Sequence, residues 1–333
     1  MRVGIIGAGL QGRRRAPVLA EFPNTELVVV SAATLESAKR LADRMRCEAA
    51  QGWEPVVERQ DLDAVIVCTP PHLHARISIA AMRSGKHVLC EKPLTKMVEE
   101  AEELVRVARE TGQTLKCGFN HRHHPGFQQI RKWFDAGRIG EPIFVRCRYG
   151  IGGRLGYEKE WRANPEIVGG GQLMEQGIHA VDLARWFLGG FSQVTAFVET
   201  RFWGVEPLED NAFALYRTAG GAVASIHSSL TQWKNLFSFE LYGRDGYVAV
   251  EGLGGGYGTE RAIFGRRDFT APFGEEVVEF RGEDRSWREE WKEFVAAVSE
   301  RREPLGSGQD GLEALRLVYA AYEAARKRHT IDL

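Results

Sequence analysis

The sequence predicts an α/β protein: an N-terminal domain with a doubly wound parallel sheet, then a C-terminal α+β domain with a large, open, mostly antiparallel sheet. Three observations carry this. Short, continuously apolar, β-branched runs alternate with helical stretches up to about residue 120. A glycine-rich turn joins the first of these runs to the first helix, and beyond residue 120 strand-like stretches follow one another with few helices between them. Continuous apolar strands separated by helices mark a parallel sheet, because each crossover lays a helix across one of its faces.

Residues 2–6 read as the first strand and 10–21 as the first helix; residues 27–30 and 35–44 repeat the pair, with Leu41 and Met45 on one side of the second helix. Residues 64–68, 87–90 and 114–117 are three more strands, separated by helices over 74–84 and 97–111. A helix over 125–136 opens the second domain. Strands follow at 143–149, 194–202, 212–217, 222–230, 237–242 and 246–250, with hairpin turns at Ala219-Gly220-Gly221 and Arg244-Asp245-Gly246. Phe237, Phe239 and Leu241 alternate along one face of a strand, so that face must be covered by helices or by another subunit. Helices over 172–188, 286–300 and 311–327 are candidates for the cover, and Ser286 with Glu289 has capping-box spacing at the second. The glycine-rich stretch 252–258 reads as a loop. The domains are drawn as residues 1–120 and 121–333.

A folded chain of 333 residues removes roughly 75% of its unfolded surface from water, enough for two cores. With 44% hydrophobic and 27% charged residues the balance is that of a globular protein, which argues against disorder. A formal net charge of -1, with Lys and Arg dispersed, argues against nucleic acid as a partner. Cys47, Cys68, Cys90, Cys117 and Cys147 lie far apart, without a Cys-x-x-Cys pair, so neither a zinc site nor a disulfide framework is expected; packed thiols in a reducing cytoplasm fit. The apolar start is broken by glycines and followed by Arg13, Arg14 and Arg15, unlike a signal peptide, and nothing approaches the roughly 18 apolar residues of a membrane span. The expectation is a cytoplasmic protein with no membrane partner.

Gly7-Ala8-Gly9-Leu10-Gln11-Gly12 matches G-x-G-x-x-G between a strand and a helix. In that context Gly7 makes a tight turn, Gly9 lets the backbone approach a pyrophosphate, and Gly12 lets the helix pack on the strand, while the helix N-terminus offers free N–H groups to the phosphates. This is the fingerprint of a Rossmann dinucleotide-binding domain. An acid at the end of the second strand would bind the ribose 2′-hydroxyl of NAD and repel the 2′-phosphate of NADP, but Ser31 and Ala32 stand there. With Arg13, Arg14, Lys39 and Arg40 near in sequence, the cofactor is read as NADP or NAD, with NADP preferred; the alternative is that these cations lie on a solvated helix face.

Two further runs stand at strand ends, where open α/β sheets bind ligands: Thr69-Pro70-Pro71-His72-Leu73-His74 and Glu91-Lys92-Pro93. Later come Trp161-Arg162 and the segment from Gly169-Gly170-Gly171 to Asp182, in which Glu175, His179 and Asp182 fall at i, i+4 and i+7, one face of an α-helix. In this combination the chain resembles, over essentially its whole length, the Gfo/Idh/MocA family, the glucose-fructose oxidoreductase and inositol dehydrogenase group. The resemblance implies that Lys92 is the catalytic lysine and His179 the proton-transferring histidine, with Glu175 where most members have aspartate. It also implies cofactor contacts from Thr69, Pro71, His74, Glu91, Trp161 and Arg162, a cis peptide before Pro93, and Asn120 and Arg122 at the nicotinamide or substrate end of a cleft between the domains. By the same resemblance the open sheet packs against a neighbouring subunit, which makes a homodimer or homotetramer the expectation.

The chemistry also follows from the residues. A secondary alcohol needs a base to take its proton as hydride leaves its carbon, and an imidazole suits that task near neutral pH. An ammonium such as Lys92 would stabilise negative charge developing on the oxygen. The basic run His121, Arg122, His123 and His124 has no Asp, Glu or Cys at ligand spacing, so no metal is expected. Tyr157, Arg154, Lys159 and Asp182 are further candidates for the substrate end. The expected activity is transfer of a hydride between NAD(P) and a secondary alcohol or ketone of a sugar, polyol or sugar derivative. The rivals are an NAD-dependent glycosidase with transient redox and a non-catalytic dinucleotide sensor, since fold alone does not fix function.

Overall fold

The computed structural model describes residues 1–269 and 274–333. They form two compact units: Met1–Asn120 with Trp287–Glu313, and His121–Ser286 with Ala314–Leu333.

The first unit starts with β1 (Arg2–Ile6), α1 (Leu10–Leu19), β2 (Glu26–Ala32), α2 (Leu35–Met45), β3 (Glu48–Gln51) and α3 (Glu54–Val57). It continues with β4 (Ala64–Val67), α4 (His74–Arg83), β5 (His87–Cys90), α5 (Val98–Thr111) and β6 (Leu115–Cys117). The sheet runs β3-β2-β1-β4-β5-β6 with every pairing parallel. Strand order reverses between β1 and β4, so their carboxyl ends open the crevice in which such sheets hold ligands. All four residues of β4 are buried, as its unbroken apolar sequence requires of a strand covered on both faces. Val3, Ile5, Val30, Ile66 and Leu89 share one core with Trp291 and Phe294, which reach it from the segment that returns to this unit. β3 and α3 were not expected; Glu48–Gln51 carries no β-branched residue and is a strand through its pairing with β2.

The second unit contains α6 (Pro125–Asp135), β7 (Pro142–Gly150), α7 (Ile178–Leu188), β8 (Gln193–Glu199), β9 (Asn211–Arg217) and β10 (Val223–Ser229). Next come β11 (Leu236–Gly243), β12 (Gly246–Glu251), β13 (Glu260–Arg266), β14 (Glu275–Phe280), α8 (Ser286–Glu300), α9 (Gly308–Lys327) and β15 (Ile331–Asp332); α8 and α9 each have residues in both units. Among the described residues the sheet is nine-stranded, ordered β14-β13-β12-β11-β7-β10-β9-β8-β15. Only β7 and β10 pair in parallel. The N–H of Ser286 is taken by the carboxylate of Asp284 at 2.8 Å.

Of the two covers expected for the face carrying Phe237, Phe239 and Leu241, helices or a second subunit, it is helices of the same chain that cover it. All three are buried, and Phe239 meets the rings of Phe127 on α6 and Phe187 on α7 at 5.2 and 5.6 Å. The opposite face is open: Phe144, Phe197, Phe213 and Leu215 are exposed. There Phe213 stacks on His227 at 4.0 Å and Tyr242 stacks on Phe144 at 4.7 Å. Among the described residues no helix is long and apolar enough to cross a membrane.

Candidate active site

In the first unit the three fingerprint glycines have distinct reasons. Gly7 has φ +113°, and a Cβ there would lie 2.6 Å from the backbone of Cys68. A Cβ on Gly12 would lie 2.0 Å from the carbonyl oxygen of Gly7, so this glycine sets how closely α1 approaches the turn. Gly9, the N-cap of α1, has nothing within 4 Å of the place a Cβ would take. Open space therefore lies at the glycine whose backbone should approach a pyrophosphate, beside the free N–H groups of the first turn.

Around it, Gln11 Oε1, Ser31 Oγ and Thr69 Oγ1 are buried without a hydrogen-bond partner among the described residues. They stand in the first turn of α1, near the end of β2 and just past β4, the strand ends that border the crevice. Buried polar atoms without partners are rare, and a hydroxyl-rich, anionic ligand would supply them. These residues fit a dinucleotide. Gly9→Val should leave thermal stability near wild type, because there is room for the side chain, while calorimetry shows NAD and NADP affinity lost; unchanged affinity would refute the assignment.

His74, a predicted cofactor contact, is buried with Nδ1 2.9 Å from the carbonyl of Pro93 and Nε2 2.7 Å from that of Thr69. Burial lowers its pKa, against the pull of the two carbonyls, and a neutral ring donates only one of these bonds. The ring ties the Thr69 turn, which includes the buried Pro71, to the Glu91-Lys92-Pro93 turn, whose Lys92–Pro93 peptide is cis. Glu91 gives its carboxylate to Arg15 at 2.6 Å. Arg15 also meets Glu290 at 2.8 Å, and Glu290 meets Lys116 at 3.8 Å. All four are buried. Burial pulls the Arg15 pKa down, but the carboxylates of Glu91 and Glu290 outweigh it and raise the pKa above the usual range. Two cations and two carboxylates thus balance directly behind the triplet. A Cβ on Gly118 would come within 3.2 Å of both Glu91 and Arg15, so the cluster also needs a glycine after β6.

In the second unit, the helix carrying Glu175, His179 and Asp182 begins with a π turn, Leu173–Gly177, before α7. This corrects the single α-helical face: Glu175 lies in the π turn, and the three side chains meet different partners. Turns of this kind recur at functional sites. Glu175 pairs with Arg162 at 3.1 Å, and Arg162 lies over the Trp161 ring at 4.3 Å. His179, buried, stacks on His121 with centroids 3.7 Å apart and planes 15° from parallel. Asp182 holds Arg122 through two bonds of 2.8 and 2.6 Å, both residues buried, so the two predicted substrate residues neutralise each other. Asn120 is buried at the start of the 3₁₀ turn Asn120–His123 that carries His121 and Arg122. Tyr157 packs in a small core with Val168, Val205, Leu208 and Leu230, where burial raises its pKa.

The start of this helix is clamped by Glu209, which sequence reasoning missed. Its carboxylate accepts the N–H groups of Gly171 and Leu173 at 2.8 and 2.7 Å and the Tyr322 hydroxyl at 2.8 Å. A Cβ on Gly171 would lie 2.1 Å from the Glu209 backbone and one on Gly170 2.1 Å from the Tyr322 hydroxyl, which explains two glycines of the triplet. Tyr257 was missed too. It sits in the glycine-rich loop, accepts from Gln176 Nε2 at 3.3 Å and meets the Tyr149 ring at 5.4 Å. Its only signal was a lone aromatic side chain among glycines. His124 pairs with Glu260 at 3.0 Å; burial would raise the Glu260 pKa, but the His124 bond and the N–H groups of Gly254 and Gly126 hold it low. Among the described residues no group of three His, Cys, Asp or Glu side chains could hold a metal ion.

Residues 1–119 match the model of the Gfo/Idh/MocA oxidoreductase family with an NAD-binding Rossmann fold, and residues 127–249 that of the Gfo/Idh/MocA C-terminal domain. The chain is similar to levoglucosan dehydrogenase of Pseudarthrobacter phenanthrenivorans, 26% identical over 100% of this chain and 98% of that protein. It is 31% identical, over 75% of its own length and 74% of the relative's, to dTDP-3,4-didehydro-2,6-dideoxy-alpha-D-glucose 3-reductase of Saccharopolyspora spinosa. In fold it is similar to a solved levoglucosan dehydrogenase in complex with NADH and levoglucosan, with TM-score 0.90, 24% identity, and 100% of this chain and 99% of that one covered. With both domain models matched in order and the fingerprint and glycine-rich helix start built as described, this chain belongs to the Gfo/Idh/MocA family of oxidoreductases and carries that family's NAD-binding Rossmann domain.

Proposed function

We propose that this enzyme moves a hydride between a nicotinamide dinucleotide and a carbon bearing a secondary hydroxyl in a sugar, polyol or sugar derivative. The observation that carries the reading is the buried imidazole of His179 on a helix whose start is clamped by Glu209, in a chain that also builds a dinucleotide crevice. The relatives named above act, by their names, on levoglucosan and on dTDP-3,4-didehydro-2,6-dideoxy-alpha-D-glucose. When bound, the nicotinamide supplies the hydride acceptor or donor. His179 takes the hydroxyl proton in oxidation and returns it in reduction. Lys92 donates a hydrogen bond to the same oxygen and stabilises its developing charge. Glu175, held by Arg162, orients the proton-transfer group, while Asn120, Trp161 and Arg162 hold the nicotinamide end. The test is a screen of polyols, free sugars and sugar nucleotides with both cofactors, followed by absorbance of the reduced nicotinamide. Glycoside cleavage with no net change in cofactor would favour the transient-redox glycosidase, and dinucleotide binding without any turnover would favour the sensor.

For the cofactor, the absence of a carboxylate at Ser31 and Ala32 supports use of NADP. Of the four nearby cations, Arg40 is paired with Glu36 at 2.6 Å and Arg14 lies over Trp287, which leaves Arg13 and Lys39 for a 2′-phosphate. Ala32→Asp should turn the preference in kcat/KM towards NAD; an unchanged ratio would refute the NADP reading.

For assembly, we propose a homodimer or homotetramer that covers the open sheet face with the same face of a second copy, since isologous contact is the usual solution. Its centre is Phe197, Phe213 and Leu215, which lie across from one another on β8 and β9 or alternate along β9. Light scattering should show an oligomer that Phe213→Glu weakens to monomer; a wild-type monomer at micromolar concentration would refute this.

A further inference from the structure

We propose that His121 is the positioning partner of His179 and that the two imidazoles titrate as one coupled unit, the second proton entering at a lower pH than the first. The proposal rests on His179 as the proton-transfer group.

The geometry supplies the argument. The rings lie face to face, 3.7 Å between centroids and 15° from parallel. His121 is fixed on its other sides: its Nε2 is 3.1 Å from the Tyr149 hydroxyl on β7, and the rings of His124 and Phe237 lie edge-on at 5.5 and 6.0 Å. His121 and His179 are 6% and 4% exposed, so water does little to separate their charges. A helical histidine swings about two side-chain torsions. The flat partner restricts that swing and fixes the plane in which His179 presents its nitrogen.

The same contact couples their protonation. Two imidazolium rings at this separation repel, so the second proton enters the pair at a lower pH than the first. The charged groups around the pair are matched among themselves: Arg122 with Asp182, Arg162 with Glu175, and His124 with Glu260. Burial, then Tyr257, raises the pKa of Tyr149, which keeps its hydroxyl neutral. In the proposed reaction Lys92 adds a further positive charge. Repulsion across the 3.7 Å stack thus keeps one of the two imidazoles neutral to a lower pH than two separated rings would reach.

The test is an NMR titration of the histidine Cε1–H signals in the full chain, assigned with His121→Phe and His179→Asn variants, together with kcat. We expect two protonation steps separated by more than about one pH unit in the wild type, and a single step for His179 in His121→Phe. His121→Ala should lower kcat by about 10- to 100-fold, with cofactor affinity unchanged, and His121→Phe should recover much of that loss because it keeps a flat ring. Two overlapping, independent titrations in the wild type would overturn the coupling, and wild-type kcat in His121→Ala would overturn the positioning. The titration reads the pair without turnover. If coupling is seen while His179→Ala keeps wild-type kcat, the assignment of the base fails and the coupled pair stands.

Discussion

His179→Ala is expected to lower kcat by about 10²- to 10⁴-fold, the usual cost of removing a general acid–base group, while calorimetry shows dinucleotide affinity near wild type. The expectation follows from placement: His179 is buried on the second unit's helix, whereas the fingerprint and the unpartnered polar atoms that would meet the dinucleotide belong to the first. Lys92→Ala should do similar damage. Because both residues are assigned to one substrate oxygen, the double variant should lose less than the product of the two single losses. Glu175→Gln keeps the shape and removes the charge that Arg162 holds at 3.1 Å, so a smaller loss with a shifted pH profile is expected. Turnover near wild type in either the His179 or the Lys92 variant would show that the chemistry belongs to other residues.

Glu290→Ala is expected to destabilise the protein by about 3–5 kcal/mol, the usual cost of stripping one partner from a buried ion pair. Glu290 is fully buried and stands between Arg15 and Lys116. Its loss leaves two cations facing one carboxylate, Glu91, with no water to screen them. Arg15→Ala should cost a similar amount for the opposite reason, because it strands two carboxylates. The two together should cost less than their sum, since removing both restores the balance of Glu91 against Lys116. Urea unfolding measures all three. A Glu290→Ala protein within 0.5 kcal/mol of wild type would show that the cluster's charges are not coupled as their distances imply.

Much of the first unit was legible because a parallel strand buried on both faces must be apolar throughout, and residues 64–67 and 88–90 are. The glycine fingerprint was legible because each glycine answers a steric demand of the turn. In the second unit, alternation at Phe237, Phe239 and Leu241 showed that those side chains are buried but not what buries them; the rings that do so come from α6 and α7. β13 and β14 escaped notice because charges interrupt them, and their pairing is what makes them strands. The π turn was invisible since its residues also suit an α-helix. The partners of the site residues were the least legible. Glu91 and Glu290 meet Arg15 across 76 and 275 positions of sequence, and neither periodicity nor motif spacing reaches that far. The histidine run was noticed, yet nothing in it said that His121 would face His179.

The return of Trp287–Glu313 to the first unit has a consequence for how the protein is made. A ribosome delivers the chain from its N-terminus at about 5–20 residues per second, and a domain encoded in one stretch folds as it emerges. Here the fingerprint, all six parallel strands and Arg15 are out of the exit tunnel long before Glu290, Trp291 and Phe294 have been translated. For the time needed to add residues 121–286, on the order of 10–30 s at that rate, the nascent nucleotide-binding unit lacks one carboxylate partner of Arg15 and two aromatic rings of its core. Its completion therefore waits until the segment beyond residue 286 has been translated, so the unit whose strands are made first is finished only after the sheet of the second unit has been made.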